Sequence, residues 1–233
     1  MIHTISFDLD DTLYDFTTAS TYAVERAREK LIASVGPAAE SLTLEQVIED
    51  LISTADEMVN PYAQLHAFRI RAFLKTLARF GNSDAALAEE LSHAYLEHRY
   101  DRVTLFDDAR ETLERLGESY MLCAVSNGEQ NLEQLGLDDL LEVVVFAQEV
   151  GVDKPDPRIF DAAMRRTGCA PESFAHVGDS VHSDVAAVQA LGGIGIWFNG
   201  KGRADPADVR PDATVTRLSE LPGVIAKLDG GSQ

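Results

Sequence analysis

Short apolar runs and amphipathic stretches take turns along most of this chain, and one block breaks the alternation. The run Ile2 to Phe7 is compact, apolar and β-leaning and predicts a strand. Past Asp15 the period changes. Ala23, Ala27, Leu31 and Val35 recur every four residues, with Glu25, Arg26, Arg28, Glu29 and Lys30 mostly on the other side. This predicts a helix that Gly36-Pro37 ends. Thr43 with Gln46 reads as a capping box for a second helix to about Met58. After an Asn60-Pro61 break, Leu65, Phe68, Ala72, Phe73, Leu77 and Phe80 mark one face of a third helix, stopped by Gly81-Asn82, and a fourth covers about 83–100. Four helical segments with no strand between them, in a chain that otherwise alternates, predict a helical insert.

Alternation resumes near Asp107. Ala109, Leu113 and Leu116 predict a helix ended by Gly117, Tyr120 to Val125 a strand, Glu129 to Leu135 a helix, and Val143 to Phe146 a strand. Pro157 opens a helix with Ile159, Phe160, Ala163 and Met164 inward, ended by Gly168. His176-Val177 reads as a short strand, and Val181, Val185, Val188 and Leu191 line a helix closed by Gly192. Ile194 to Phe198 and Ala213 to Val215 are further strands, and Leu218 to Leu228 a final helix. Strands separated by helices predict an α/β fold, a parallel sheet covered on both faces.

The chain has 233 residues, room for one large domain or a core plus an insert, and 45% hydrophobic residues, which suits a packed core. Its net charge of −19 argues against nucleic acid and anionic membrane as partners, since both need a positive face. Cys123 and Cys169 are the only cysteines, both in apolar surroundings with no CxxC spacing, which fits a reduced, cytoplasmic setting. No basic leader or run of about 18 apolar residues occurs, so a soluble protein is expected. The closing Gly-Gly-Ser-Gln is expected to be a frayed tail.

Chemistry concentrates where predicted strands end. Phe7-Asp8-Leu9-Asp10-Asp11-Thr12-Leu13-Tyr14-Asp15 puts Asp8 at a strand's carboxyl end and Asp10 two residues on. That end of a strand is where open α/β sheets bind ligands. Two converging carboxylates call for a divalent cation or a shared proton, and Thr12 adds a hydroxyl. A solvated acidic turn would use the same residues. Ser126-Asn127-Gly128 is by itself a turn; its other reading is a hydroxyl and main-chain N–H groups holding phosphoryl oxygens at a helix start. Lys154, in Lys154-Pro155-Asp156-Pro157, is either a surface lysine or a cation held in a set direction to neutralise developing charge. In Gly178-Asp179-Ser180-Val181-His182-Ser183-Asp184, Asp179 reads as a helix cap or a metal ligand. Asp184 reads as a solvated carboxylate, as support behind the ligands, or as a partner for Lys154. Asn199-Gly200-Lys201-Gly202 reads as a turn that would otherwise line the rim; His66, Arg69 and Arg71 read as a solvated helix face that would otherwise read the substrate; His182 is expected in solvent and Trp197 in the core.

Asp8-Leu9-Asp10-Asp11-Thr12-Leu13, Ser126, Lys154-Pro155-Asp156-Pro157 and Gly178-Asp179 with Asp184 resemble, in order, the four motifs of the haloacid dehalogenase-like hydrolase superfamily in its phosphatase form. The resemblance implies a Rossmann-like core, residues 1–14 and 101–233, and an inserted all-helical cap, residues 15–100. It implies Mg²⁺ as cofactor, with Asp8, Asp10 and Asp179 as ligands and Asp184 behind them. Asp8 would be the nucleophile and Asp10 the general acid/base, with Ser126 and Lys154 as the other catalytic groups. Thr12, Ser126, Asn127 and Lys154 would bind a small phosphorylated metabolite, a nucleotide or sugar phosphate. A monomer or homodimer is expected. Ile196-Trp197-Phe198-Asn199 and the helical insert loosely resemble the branch of pyrimidine 5′-nucleotidases and acylneuraminate phosphatases. Haloacid dehalogenases use the same nucleophile without a second aspartate or a metal. Phosphomutases keep both, and a silent binding or regulatory module would have lost a motif residue.

Overall fold

The computed structural model describes residues 1–204 and 207–230, so the tail from position 231 onward lies outside the described residues. The chain divides into two compact units: Phe16–Val103, and Met1–Asp15 joined with the chain from Thr104 onward.

The first unit is all helical: α1 (Phe16–Val35), α2 (Leu44–Glu57), α3 (Leu65–Ala78) and α4 (Ala85–His98). The α2 capping box forms, with Gln46 N–H donating to Thr43 Oγ1 at 3.3 Å and Thr43 N–H to Gln46 Oε1 at 3.0 Å. Leu31, Val47, Phe73, Leu77 and Leu91 share one buried cluster, one residue or more from each helix. Buried Asp50 on α2 accepts from Arg79 Nε and Nη2, each at 2.8 Å, and from the Thr76 hydroxyl at 2.9 Å, so its charge is paired where it is buried. The solvated-face expectation holds for His66 and Arg71 and fails for Arg69, which is buried with Nε 3.3 Å from Ser92 Oγ. Arg69 stands three and four residues before Ala72 and Phe73, so it shares the buried face of α3.

The second unit is a six-stranded parallel sheet: β1 (Thr4–Phe7), β2 (Met121–Ser126), β3 (Val143–Phe146), β4 (Phe174–Gly178), β5 (Ile194–Phe198) and β6 (Ala213–Val215), in the order β3-β2-β1-β4-β5-β6. Every residue of β1 and β4 is buried. Successive side chains of a strand point to opposite faces, so both faces are covered. The helices are α5 (Ala109–Gly117), α6 (Leu132–Leu135), α7 (Ala147–Val150), α8 (Pro157–Thr167), α9 (Ala187–Gln189) and α10 (Leu221–Gly230). α8 starts on Asp156, whose carboxylate accepts the Arg158 N–H, with Pro157 at its first position; Gly168 ends it at φ 65°.

Two predicted helices are altered. The helix expected from Glu129 begins only at Leu132, because Gln130 turns its side chain inward and Asn131 serves as the cap. The helix expected from Val181 opens as a π turn, Val181–Ala186, before α9. Both departures occur where a side chain turns inward to a distant partner, Gln130 to Asp10 and Asp184 to Lys154. No described helix is long and apolar enough to cross a membrane.

Candidate active site

Asp8 directly follows β1, Ser126 ends β2, Asp179 directly follows β4, and Lys154 comes just after α7, which itself follows β3. β1 lies between β2 and β4, where the winding of the sheet reverses. Ligand crevices in open parallel sheets form at such a point.

The segment after β1 is a tight turn. Leu9 C=O accepts the N–H groups of Thr12 at 3.3 Å and Leu13 at 3.0 Å, and Asp11 takes a left-handed φ of 59°, which aspartate tolerates better than most residues. The turn delivers the Asp10 carboxylate to two donors. Gln130 Nε2 donates to Asp10 Oδ1 at 2.5 Å, and the Tyr14 hydroxyl donates to the same oxygen. An oxygen that accepts two protons is a poor place for one of its own, so a protonated Asp10 would carry it on Oδ2. Ser126 Oγ donates to Gln130 Oε1 at 3.1 Å and accepts the Gly128 N–H at 3.0 Å. Gly128 leaves room for this, since a Cβ there would stand 2.0 Å from Gln130 Nε2.

Lys154 is buried, and its ammonium has three partners: Asp8 Oδ1 at 2.5 Å, Asp184 Oδ1 at 2.8 Å and Val125 C=O at 3.0 Å. All three of its protons are used. Asn127 grips the lysine main chain from both sides, accepting its N–H at 2.7 Å and donating to its C=O at 3.2 Å. Thr12, fully buried, donates to Asp8 Oδ2 at 3.2 Å and accepts the Asp179 N–H at 3.0 Å, tying the β1 and β4 loops together.

Asp184 reaches this group from the π turn. Its Oδ1 also meets His176 Nε2 at 3.2 Å, and its Oδ2 accepts the Ser180 N–H at 3.0 Å. His176 Nδ1 lies 2.9 Å from Ser6 Oγ. An ionised carboxylate only accepts, so Nε2 carries the imidazole proton and Nδ1 accepts from Ser6. Burial holds His176 below its ordinary pKa, which keeps it neutral in this role. Gly178 is steric necessity: a Cβ there would lie 2.3 Å from the Asp184 carboxyl carbon.

Burial raises the Asp8 carboxyl well above the usual carboxylate range; Lys154 opposes this, and the charges of Asp184 and Asp10 add to it. Burial works against the Lys154 ammonium, but Asp184 and Asp8 outweigh it and hold the lysine above its ordinary value. Asp184 is likewise kept below the usual range by Lys154 and His176 despite its burial. Asp179 is raised by burial and by Asp184.

The haloacid dehalogenase-like hydrolase family profile, described as a hydrolase, matches residues 2–192. The chain belongs to that family. Over 240 residues it is 30% identical to the glyceraldehyde 3-phosphate phosphatase of Methanopyrus kandleri, covering 98% of this chain and 99% of that one. It is 32% identical over 160 residues to the phosphoserine phosphatase of Thermus thermophilus, covering 66% of this chain and 64% of that one. The crystal structure of a 2-haloacid dehalogenase from Pseudomonas syringae pv. Tomato DC3000 superposes with a TM-score of 0.79 at 33% identity, over 97% of this chain and 99% of that one. Like its relatives in this family, the chain is a hydrolase with a Rossmann-like α/β core.

Oxygens of Asp8, Asp179 and Asp184 lie within 4.8 Å of one another and could hold a metal ion. The fit is chemical as well as spatial. The donor set is all carboxylate, the kind that hard divalent cations take. The four carboxylates of Asp8, Asp10, Asp179 and Asp184 also outnumber the single buried ammonium among them.

Of the residues singled out from sequence, Asp8, Thr12, Lys154, Asp179 and Asp184 form one hydrogen-bonded group. Asp10 joins Ser126 through Gln130, and Asn127 attaches to the main chain of Lys154. Sequence reasoning missed Gln130, Tyr14, His176 and Arg203. The last donates to Asp179 Oδ2 at 3.0 Å and to Asp179 C=O at 3.1 Å. For Tyr14 and Gln130 a spacing of four from Asp10 and Ser126 was visible; for His176 and Arg203 no local signal existed. His182 is exposed and Trp197 buried, as expected.

Proposed function

We propose that this hydrolase is a Mg²⁺-dependent phosphatase that cleaves small-molecule phosphate monoesters through a phosphorylated Asp8. The observation that carries the reading is the convergence on Asp8 of a buried ammonium from Lys154 and a hydroxyl from Thr12, with Asp10 held two residues away by Gln130 and Tyr14.

In the first step an Asp8 carboxylate oxygen forms a bond to phosphorus as the ester P–O bond breaks, and Asp10 gives its proton to the leaving oxygen. In the second, Asp10 takes a proton from water, the water oxygen bonds to phosphorus, and the Asp8–phosphorus bond breaks. Lys154 holds Asp8 in position and offsets charge that grows on the phosphoryl oxygens; Ser126 keeps Gln130 on Asp10. Mg²⁺, held by Asp8, Asp179 and the Asp10 main-chain carbonyl, would supply charge neutralisation for the phosphoryl group. Thr12 and Asn127 act in this account by positioning Asp8, Asp179 and Lys154, a change from the expectation that they bind substrate. Asp184 stands behind the ligands as the partner of Lys154. The helical unit between Asp15 and Thr104 is the family's cap.

The names of the relatives point toward small phosphorylated metabolites, a triose phosphate among them. The test is phosphate release from an aryl phosphate ester with Mg²⁺ and with chelator, followed by glyceraldehyde 3-phosphate and phosphoserine. Mg²⁺-dependent release is expected; no release from any ester would remove the proposal. The Pseudomonas syringae structure favours a second reading, halide displacement from a 2-haloacid by the same carboxylate. Asp10 weighs against it, because the dehalogenase pattern lacks a second aspartate. Halide release without phosphate release would reverse the choice.

A further inference from the structure

The loop after β5 carries Lys201 and Arg203 near its start, and each meets an acidic residue of a different loop. Lys201 Nζ donates to Asp11 Oδ2 at 2.8 Å, and Arg203 clasps Asp179 at both its Oδ2 and its main-chain carbonyl. The loop is shaped for this. Asn199 Oδ1 accepts the Arg203 N–H at 2.7 Å, its Nδ2 donates to the Arg203 C=O at 2.9 Å, and its own C=O accepts the Gly202 N–H at 3.1 Å. Asn199 thus fixes the Arg203 main chain and leaves the guanidinium to reach Asp179. All four charged residues stand in the wall of one cavity of about 590 Å³.

We propose that Arg203 competes with the divalent cation for the Asp179 carboxylate, so that residues 199–203 set how tightly the metal is held. The inference rests on the metal reading above and adds a residue to it. Asp179 Oδ2 cannot serve a guanidinium and a cation with full strength at once, and a fixed positive charge beside the ligand set repels a second one. Arg203 is therefore a positioning residue: it orients Asp179 and lowers the affinity for the ion. Its contact to the Asp179 carbonyl is independent of the carboxylate, so the loop stays attached when Oδ2 is given up.

Trp197 provides the readout. It is the chain's single tryptophan, it is buried, and its Nε1 donates to the same Asp179 carbonyl at 3.0 Å. The experiment titrates Mg²⁺ alone into wild type, Arg203→Gln and Lys201→Gln, following tryptophan fluorescence and calorimetric heat. Because Asn199 holds only main-chain atoms of Arg203, the Gln variant keeps the loop's own clasp. Arg203→Gln is expected to bind Mg²⁺ about three- to fivefold more tightly, the scale of one half-exposed ion pair. It should also melt lower than wild type in chelator and gain more from Mg²⁺. Lys201→Gln, whose partner is Asp11, should change the affinity less than about twofold. Unchanged or weaker binding by Arg203→Gln, or equal tightening by Lys201→Gln, would overturn the assignment. Absence of Mg²⁺ binding by wild type would instead remove the metal reading beneath it.

Discussion

The ammonium of Lys154 donates to Asp8 Oδ1 at 2.5 Å, across a sequence separation of 146 residues. Both side chains are almost wholly buried. A buried ion pair is costly unless each remaining donor and acceptor is matched. Here the lysine's other protons go to Asp184 and Val125, and the second oxygen of Asp8 accepts from Thr12. The pair is thus part of a closed network, and the network presents one carboxylate at the carboxyl end of the central strand.

Lys154→Met should leave Asp8 and Asp184 facing each other without a counter-charge. Breaking one partner of a buried pair costs about 3–5 kcal/mol. A thermal melt should show that loss, and phosphate release should fall by at least about 10³-fold, the scale of one preorganised electrostatic group. Adding Asp184→Asn should recover part of the stability and none of the turnover. A single variant as stable as wild type would contradict the network.

Gly178→Ala tests the approach of Asp184. The new Cβ would stand 2.3 Å from its carboxyl carbon, so Asp184 must leave Lys154 and His176. Activity should drop sharply while the sheet persists, because Gly178 ends β4 without a left-handed φ. Circular dichroism beside a rate assay checks both halves. Retained activity would mean that Asp184 is dispensable.

Much of this was legible in the chain. A period-four stripe marked α1, a capping box α2 and an apolar face α3, and short apolar runs between turn residues marked the strands. Asp8 and Asp179 were visible where predicted strands end, and Lys154 through its setting in Lys154-Pro155-Asp156-Pro157. What failed to show were groups whose role depends on a distant partner. Gln130 sits in a stretch whose pattern predicts helix, and Asp10, 120 residues away, draws it inward together with Ser126 and Tyr14. His176 looks like one more strand residue until Asp184 and Ser6 appear on its two nitrogens. Arg203 follows a glycine-rich turn with nothing nearby to announce Asp179.

Gln130→Leu removes the amide from Asp10 Oδ1 while keeping the bulk of the side chain. Asp10 loses one fixed donor, and proton transfer should suffer more than binding. kcat is expected to fall about 10²-fold, the lower end for general acid–base catalysis, with KM little changed. Steady-state kinetics on the best substrate measures this. A rise in KM with kcat intact would move Gln130 from positioning Asp10 to binding substrate.

Cys123 lies in the middle of β2, and burial pushes its thiol up from 9.0 to about 12. A raised folded-state value means that stability is complete below pH 9 and is lost as pH rises toward 12. The unfolded chain gives up the proton first in that window. The loss approaches about 1.4 kcal/mol per pH unit for this one group. Urea melts from pH 8 to 11 should show a steeper decline for wild type than for Cys123→Ala, and iodoacetamide should leave Cys123 unlabelled at pH 8 until the protein unfolds. Parallel pH profiles would contradict the burial argument.

The central claim is that Asp8 itself becomes phosphorylated. The direct measurement is acid quench during steady turnover, reduction with borohydride, and peptide mass spectrometry over the β1 loop. An acyl phosphate at this carboxylate would be reduced to the alcohol, so homoserine is expected at position 8 in wild type and nowhere in Asp8→Asn. An unmodified Asp8 in an enzyme that is releasing phosphate would contradict the account.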